Sequence, residues 1–90
     1  MKSKKKHLVI AEKLRKFALR DLEFGVKEWA NEKSMLKVCA ADFCNYILLC
    51  ELIKNKKFID AEKAMWRMDS YSRDKIPDSV YCFIKNKAQA

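Results

Sequence analysis

One glycine and one proline in 90 residues constrain the fold of this chain more than any other feature. Tight β-hairpin turns depend on residues that reach positive φ or pre-set a turn, and Gly25 and Pro77 are the only strong punctuators available. An all-β fold is therefore disfavoured and a helical one strongly favoured, with long uninterrupted segments of helical periodicity expected. Half of the residues are hydrophobic, ample for a core and contrary to disorder. The length suits a single helical domain over residues 1–90. A chain of this size hides only about 60–65% of its unfolded surface, so its stability is of order 5–13 kcal/mol and no largely apolar helix can be left unburied cheaply.

Periodicity predicts an all-α fold, a small bundle of about four helices arranged as antiparallel helical hairpins. The first helix spans about Lys5 to Ala30. On a 3.6-residue wheel Lys2, Lys6, Lys13, Lys16 and Arg20 share one stripe, and Ala11, Leu14, Ala18 and Leu22 the opposite one. Val9 falls on the basic side and Arg15 near the apolar side, where a long side chain can snorkel outward. Gly25 marks either a bend or an early end of this helix.

The second helix, about Ser34 to Lys54 with Ser34 as N-cap, is apolar on nearly every side, from Met35 and Leu36 through Phe43, Tyr46 and Leu49 to Ile53. Lys37, Asp42 and Glu51 interrupt it, leaving no run of the roughly 18 uncharged residues a membrane span needs. It reads as a central helix wrapped by the others, with a second copy as a candidate cover for one face, hence a possible homodimer. A third helix covers about Phe58 to Tyr71, with Ala61, Ala64, Met65, Met68 and Tyr71 facing inward. Pro77 opens a fourth, with Asp78 favourable at its N-terminus and Val80, Tyr81, Phe83 and Ile84 docking it. Residues 85–90 are expected to fray.

From Tyr46 to Ile84, the pattern Leu48, Leu49, Leu52, Phe58, Asp60, Ala61, Met68, Pro77, Asp78 and Tyr81 resembles a helical hairpin of the pentatricopeptide or tetratricopeptide type. The resemblance covers under half of the chain. Lys56 stands where the family has a small residue in the interhelical turn, and no second unit precedes it. What it implies is a packing geometry, with no RNA-reading code, since such solenoids need about three units to bury a continuous core.

Charge is concentrated at the amino terminus. Within residues 1–20, Lys2, Lys4, Lys5, Lys6, Lys13, Arg15, Lys16 and Arg20 face the single acid Glu12, a net +7, whereas residues 21–90 carry only +1. A one-sign block sums into a field that attracts polyanions. Residues 1–6 are expected to form a mobile basic arm, so Lys2, Lys4, Lys5 and Lys6 would supply nonspecific attraction. Lys13, Lys16 and Arg20 would supply an ordered stripe for phosphates. No major-groove reading helix or aromatic stacking motif is apparent, so such contact would be only weakly sequence-dependent.

Four cysteines, Cys39, Cys44, Cys50 and Cys82, show no CxxC spacing, and on one helix Cys44 points away from the side shared by Cys39 and Cys50. A metal site is not expected; the cysteines read as free, small core hydrophobes in a reducing, cytoplasmic compartment. The charges after the lysine run argue against a secretory signal. His7, the sole histidine, lies far in sequence from every thiol, and glycine-rich phosphate loops are missing. The reading is therefore a non-enzyme that needs no cofactor. The expected function is a small basic binding module whose partner is nucleic acid or an acidic protein surface. In the protein-partner alternative, an adaptor, inhibitor or regulatory subunit, the partner is bound through the apolar second helix or the aromatic anchors Trp29 and Trp66, a residue type enriched at binding hot spots.

Overall fold

The computed structural model describes residues 5–90, which form five helices and, among the described residues, no strand. They are α1 (Lys6–Glu28), α2 (Lys33–Lys54), α3 (Phe58–Arg67), α4 (Ser70–Asp74) and α5 (Asp78–Gln89). The all-α expectation holds, with four helices of seven residues or more and one short additional turn, α4.

Helix α1 buries Ala11, Leu14 and Ala18 of the stripe the wheel assigns to the core, and Ile10 beside them, while Leu22 of that stripe is only partly buried. Its partner is chiefly α2, which buries Tyr46, Leu49, Cys50 and Ile53. Ala11, Ala18 and Gly25 repeat every seven residues, so the buried edge of α1 carries small side chains that admit the neighbouring helix closely. At Gly25 the approach is so tight that an added Cβ would lie 2.5 Å from Cys39 Sγ. Gly25 thus does not end α1: the helix runs on to Glu28, and the glycine sits where Cys39 of α2 comes close. Phe17 meets Tyr46 edge to face at 5.2 Å in the same interface.

The molecule measures 46 × 31 × 19 Å. Its thinnest dimension is about two helix diameters, so no helix can be enclosed on all sides. This corrects the expectation of a wrapped α2. Val38 and Leu48 stay about half exposed and Cys44 is exposed, while Asp42 is buried. It also corrects the reading of the cysteines as core residues: Cys50 alone is buried, Cys39 is half-buried, and Cys82, like Cys44, is exposed. Helix α2 begins at Lys33 with Glu32 at the N-cap and no side-chain cap, so Ser34 is not the cap.

The α2–α3 turn closes with Lys57 N–H on the Leu52 carbonyl (2.8 Å) and Lys56 N–H on that of Ile53 (3.0 Å). This is the Schellman arrangement, with Lys56 at φ 59° in the left-handed position that glycine ordinarily fills.

The expected single helix over Phe58–Tyr71 is divided. Met68 and Asp69 are extended, and the Asp69 carboxylate accepts the Ser72 N–H at 3.0 Å, capping a new helix. The break turns Tyr71 outward, to 73% exposure, where an inward position was expected. Ala61, Met65 and Met68 are buried as expected, and Ala64 packs against the core. Pro77 occupies the N-cap of α5, and Val80, Phe83 and Ile84 join α2 and α3 in one core cluster. Residues 85–89, expected to fray, continue the helix, with the Lys85 and Lys87 ammonium groups over the rings of Tyr81 and Phe83 at 5.6 and 5.7 Å. Among the described residues no helix is long and apolar enough to cross a membrane.

Candidate nucleic-acid interface

Because α1 buries one stripe, its opposite stripe must face out, and Lys13, Lys16 and Arg20 are all exposed. Lys5 is the N-cap of α1 and Lys6 its first residue, both exposed; Lys2 and Lys4 lie outside the described residues. From Lys6 to Arg20 the helix rises about 21 Å at 1.5 Å per residue, comparable to the axial rise of about six base pairs. Lys13 and Lys16 line an open cavity of about 370 Å³ with Val9 and Glu12. Lys13 Nζ also donates to Ser79 Oγ at 2.6 Å, tying the stripe to the first turn of α5.

Arg15 is set apart from this group. Its guanidinium forks onto Glu12 at 2.8 and 2.6 Å, and that hydrogen bond, then the carboxylate charge, holds its pKa above the ordinary arginine value. The pair is locally neutral, leaving Lys13, Lys16 and Arg20 as the stripe.

A second group of lysines gathers where α1 begins. His7 is held below its ordinary pKa of 6.5, first by partial desolvation and then by the positive charges of Lys56, Lys5 and Lys87. Lys56, Lys57 and Lys87 share a cavity of about 280 Å³ with Phe58, Ile59 and Asp60. These lysines come from the α2–α3 turn and the last turn of α5, two short basic stretches 30 residues apart within a region, residues 21–90, that carries only +1 overall. Their convergence was not legible from composition; Lys56-Lys57 in the short polar link is the one local hint.

Trp29 and Trp66 line different cavities. Trp29 caps α1, its N–H on the Gly25 carbonyl at 2.9 Å, and is 37% exposed. It lines a groove of about 210 Å³ that includes Phe24, Val38, Tyr71, Asp21 and Asp42. Trp66, 49% exposed, lies under the Arg73 guanidinium at 4.6 Å from the ring centroid and edge to face with Tyr81 at 6.5 Å.

The buried polar groups anchor α4. Ser72 Oγ donates to Asp42 Oδ1 at 2.7 Å, and the buried Tyr46 hydroxyl donates to the Ser72 carbonyl at 2.8 Å. Burial, then the charges of Asp21, Asp42 and Asp69, raises the Tyr46 pKa well above the ordinary phenol value, so it stays a donor. The Ser72 N–H holds the Asp69 carboxyl below its usual range. Lys75 on Asp21 at 3.1 Å ties the end of α4 to α1. Cys50 is pushed up to about 11 by burial, which keeps it a thiol. Among the described residues no three His, Cys, Asp or Glu side chains are grouped to hold a metal ion.

No protein-family model, no curated protein and no solved structure matches this chain.

Proposed function

We propose that this protein binds the phosphate backbone of nucleic acid, without reading sequence, through a face running from Lys5 and Lys6 along Lys13, Lys16 and Arg20. Lys56, Lys57 and Lys87 extend that face at the start of α1. The observation that carries the reading is that Lys56 and Lys57 of the α2–α3 turn and Lys87 of the last turn of α5 line one cavity, with the charges of Lys56, Lys5 and Lys87 acting on His7 at the start of α1. A solubilising tail needs no such gathering, whereas phosphate contact benefits because each lysine that displaces a counterion adds to affinity. The reading includes antiparallel hairpins of the kind the residue 46–84 resemblance implies, and a reducing cytoplasmic compartment.

The test is fluorescence anisotropy with labelled DNA and RNA between about 50 and 200 mM salt. If about five phosphates are neutralised, affinity falls several hundredfold across that range. Joint replacement of Lys13, Lys16 and Arg20 by glutamine lowers the slope of log K against log salt by about three. No binding to either nucleic acid at the lowest salt refutes the proposal.

A protein-interaction role is the second reading, favoured by the groove in which Trp29 meets exposed Phe24, Val38 and Tyr71. Aromatic anchors around a concavity are the usual makings of a hot spot, and the basic face would steer the chain toward an acidic surface. A stoichiometric partner that is lost on Trp29→Ala, with helicity retained, supports it. Recovery of nucleic acid with no such partner counts against it.

A further inference from the structure

We infer that the cavity formed by Trp66, Arg73 and Tyr81 stacks a nucleobase, and that the nucleic acid bound by the basic face is therefore single-stranded; this rests on the phosphate-binding reading above. The cavity, about 350 Å³, is lined by Trp66, Arg73, Asp74, Ile76, Asp78 and Tyr81. Three elements build it: Trp66 lies in the last turn of α3, Arg73 on α4 and Tyr81 on α5. The break between α3 and α4 creates it, because that break brings Arg73 back over the Trp66 ring.

Its chemistry suits a planar neutral ring better than a phosphate. Two carboxylates and one guanidinium line it, so it has no excess of positive charge. It offers stacking surface in the half-exposed indole and the partly buried Tyr81, while Asp74 and Asp78 can accept hydrogen bonds from exocyclic amino groups. Arg73 is clamped as well as stacked, with Nη1 donating to the Met68 carbonyl at 3.1 Å. A guanidinium plane held in this way is itself a surface on which bases stack.

The cavity is also within reach of the basic face. Lys13 bonds Ser79, the neighbour of the cavity-lining Asp78, so the phosphate stripe and the cavity meet across the first turn of α5, a helix about 10 Å wide. A single strand whose phosphates follow α1 can turn a base across that width. A duplex cannot, since its bases are already stacked inside the helix.

The experiment uses the full chain carrying Trp29→Phe, which leaves Trp66 as the sole tryptophan. Its fluorescence is titrated with a single-stranded oligonucleotide of about 12 nucleotides, the matching duplex, and inorganic polyphosphate. The single strand should quench Trp66, and polyphosphate should bind without quenching. With affinities read by isothermal titration calorimetry, Trp66→Leu should weaken single-strand binding roughly 5- to 150-fold and leave polyphosphate affinity unchanged, with Trp66→Phe retaining much of the single-strand affinity. Polyphosphate binding together with an unquenched, Trp66-independent single strand overturns the stacking site but not the basic face. Equal quenching by the duplex overturns the single-strand assignment. Failure of all three ligands to bind at low salt overturns the basic face and this inference with it.

Discussion

Replacing Gly25 by alanine tests whether close helix approach, and not backbone freedom, is what this position requires. In an isolated helix the change stabilises by about 1 kcal/mol, because alanine is the better helix former. Here the new Cβ would lie 2.5 Å from Cys39 Sγ. Ordinary carbon contacts begin near 3.5 Å, so about 1 Å of displacement is demanded, and overpacking of that kind costs about 1–3 kcal/mol. The net expectation for Gly25→Ala is a loss of about 0–2 kcal/mol. In a Cys39→Ala background the sulfur is gone and the nearest remaining atom is the residue 39 Cβ at 3.4 Å, so the helix-propensity gain should emerge. The double-mutant cycle therefore predicts a coupling of about 1–3 kcal/mol between positions 25 and 39. Urea unfolding followed by circular dichroism measures it, each 1 kcal/mol moving the midpoint by about 1 M if m is near 1 kcal/mol/M. Equal stabilisation by alanine in both backgrounds would refute the argument, because it would mean that the sulfur constrains nothing.

Three further outcomes are expected. Lys56→Gly relieves the left-handed residue of the α2–α3 turn, and after the entropy glycine loses on folding it should stabilise by about 0.5–1 kcal/mol; the melting temperature rises by a few degrees, while polyanion affinity falls because a lysine of the basic face is lost. Tyr46→Phe leaves the Ser72 carbonyl without its buried donor and should cost about 1–3 kcal/mol in thermal or chemical unfolding, with hydrogen-exchange protection lost first in α4. The His7 imidazole should titrate below 6.5 by NMR in the free protein, since desolvation first and then the nearby ammonium groups disfavour the imidazolium, and its midpoint should rise when polyphosphate neutralises Lys56, Lys5 and Lys87. An unmoved midpoint at saturating polyphosphate would place the anion elsewhere.

Several elements were readable from local pattern. The exclusion of β structure rested on Gly25 and Pro77, and the two faces of α1 on a 3.6-residue wheel, both properties of adjacent residues. The docking residues Val80, Phe83 and Ile84 followed in the same way. The division of α3 from α4 does not show in the pattern because Ala61, Met65 and Met68 continue one helical face, while the opposing signal, Asp69 capping through Ser72, is a single short-range hydrogen bond. Periodicity carried through that break points Tyr71 inward, and the Trp66, Arg73 and Tyr81 cavity exists only because the break is there.

Helix class and the amphipathic division of α1 are written in the order of the residues, because helical geometry turns sequence spacing directly into direction; that Lys13, Lys16 and Arg20 stand exposed is decided by where the other helices pack. The use of Gly25 depends on how near Cys39 comes, and the open face of α2 on a molecule only two helices thick. The lysine group around His7 depends on where the α2–α3 turn and the end of α5 come to rest. Each is a distance between segments remote in the chain, and such distances are set by packing.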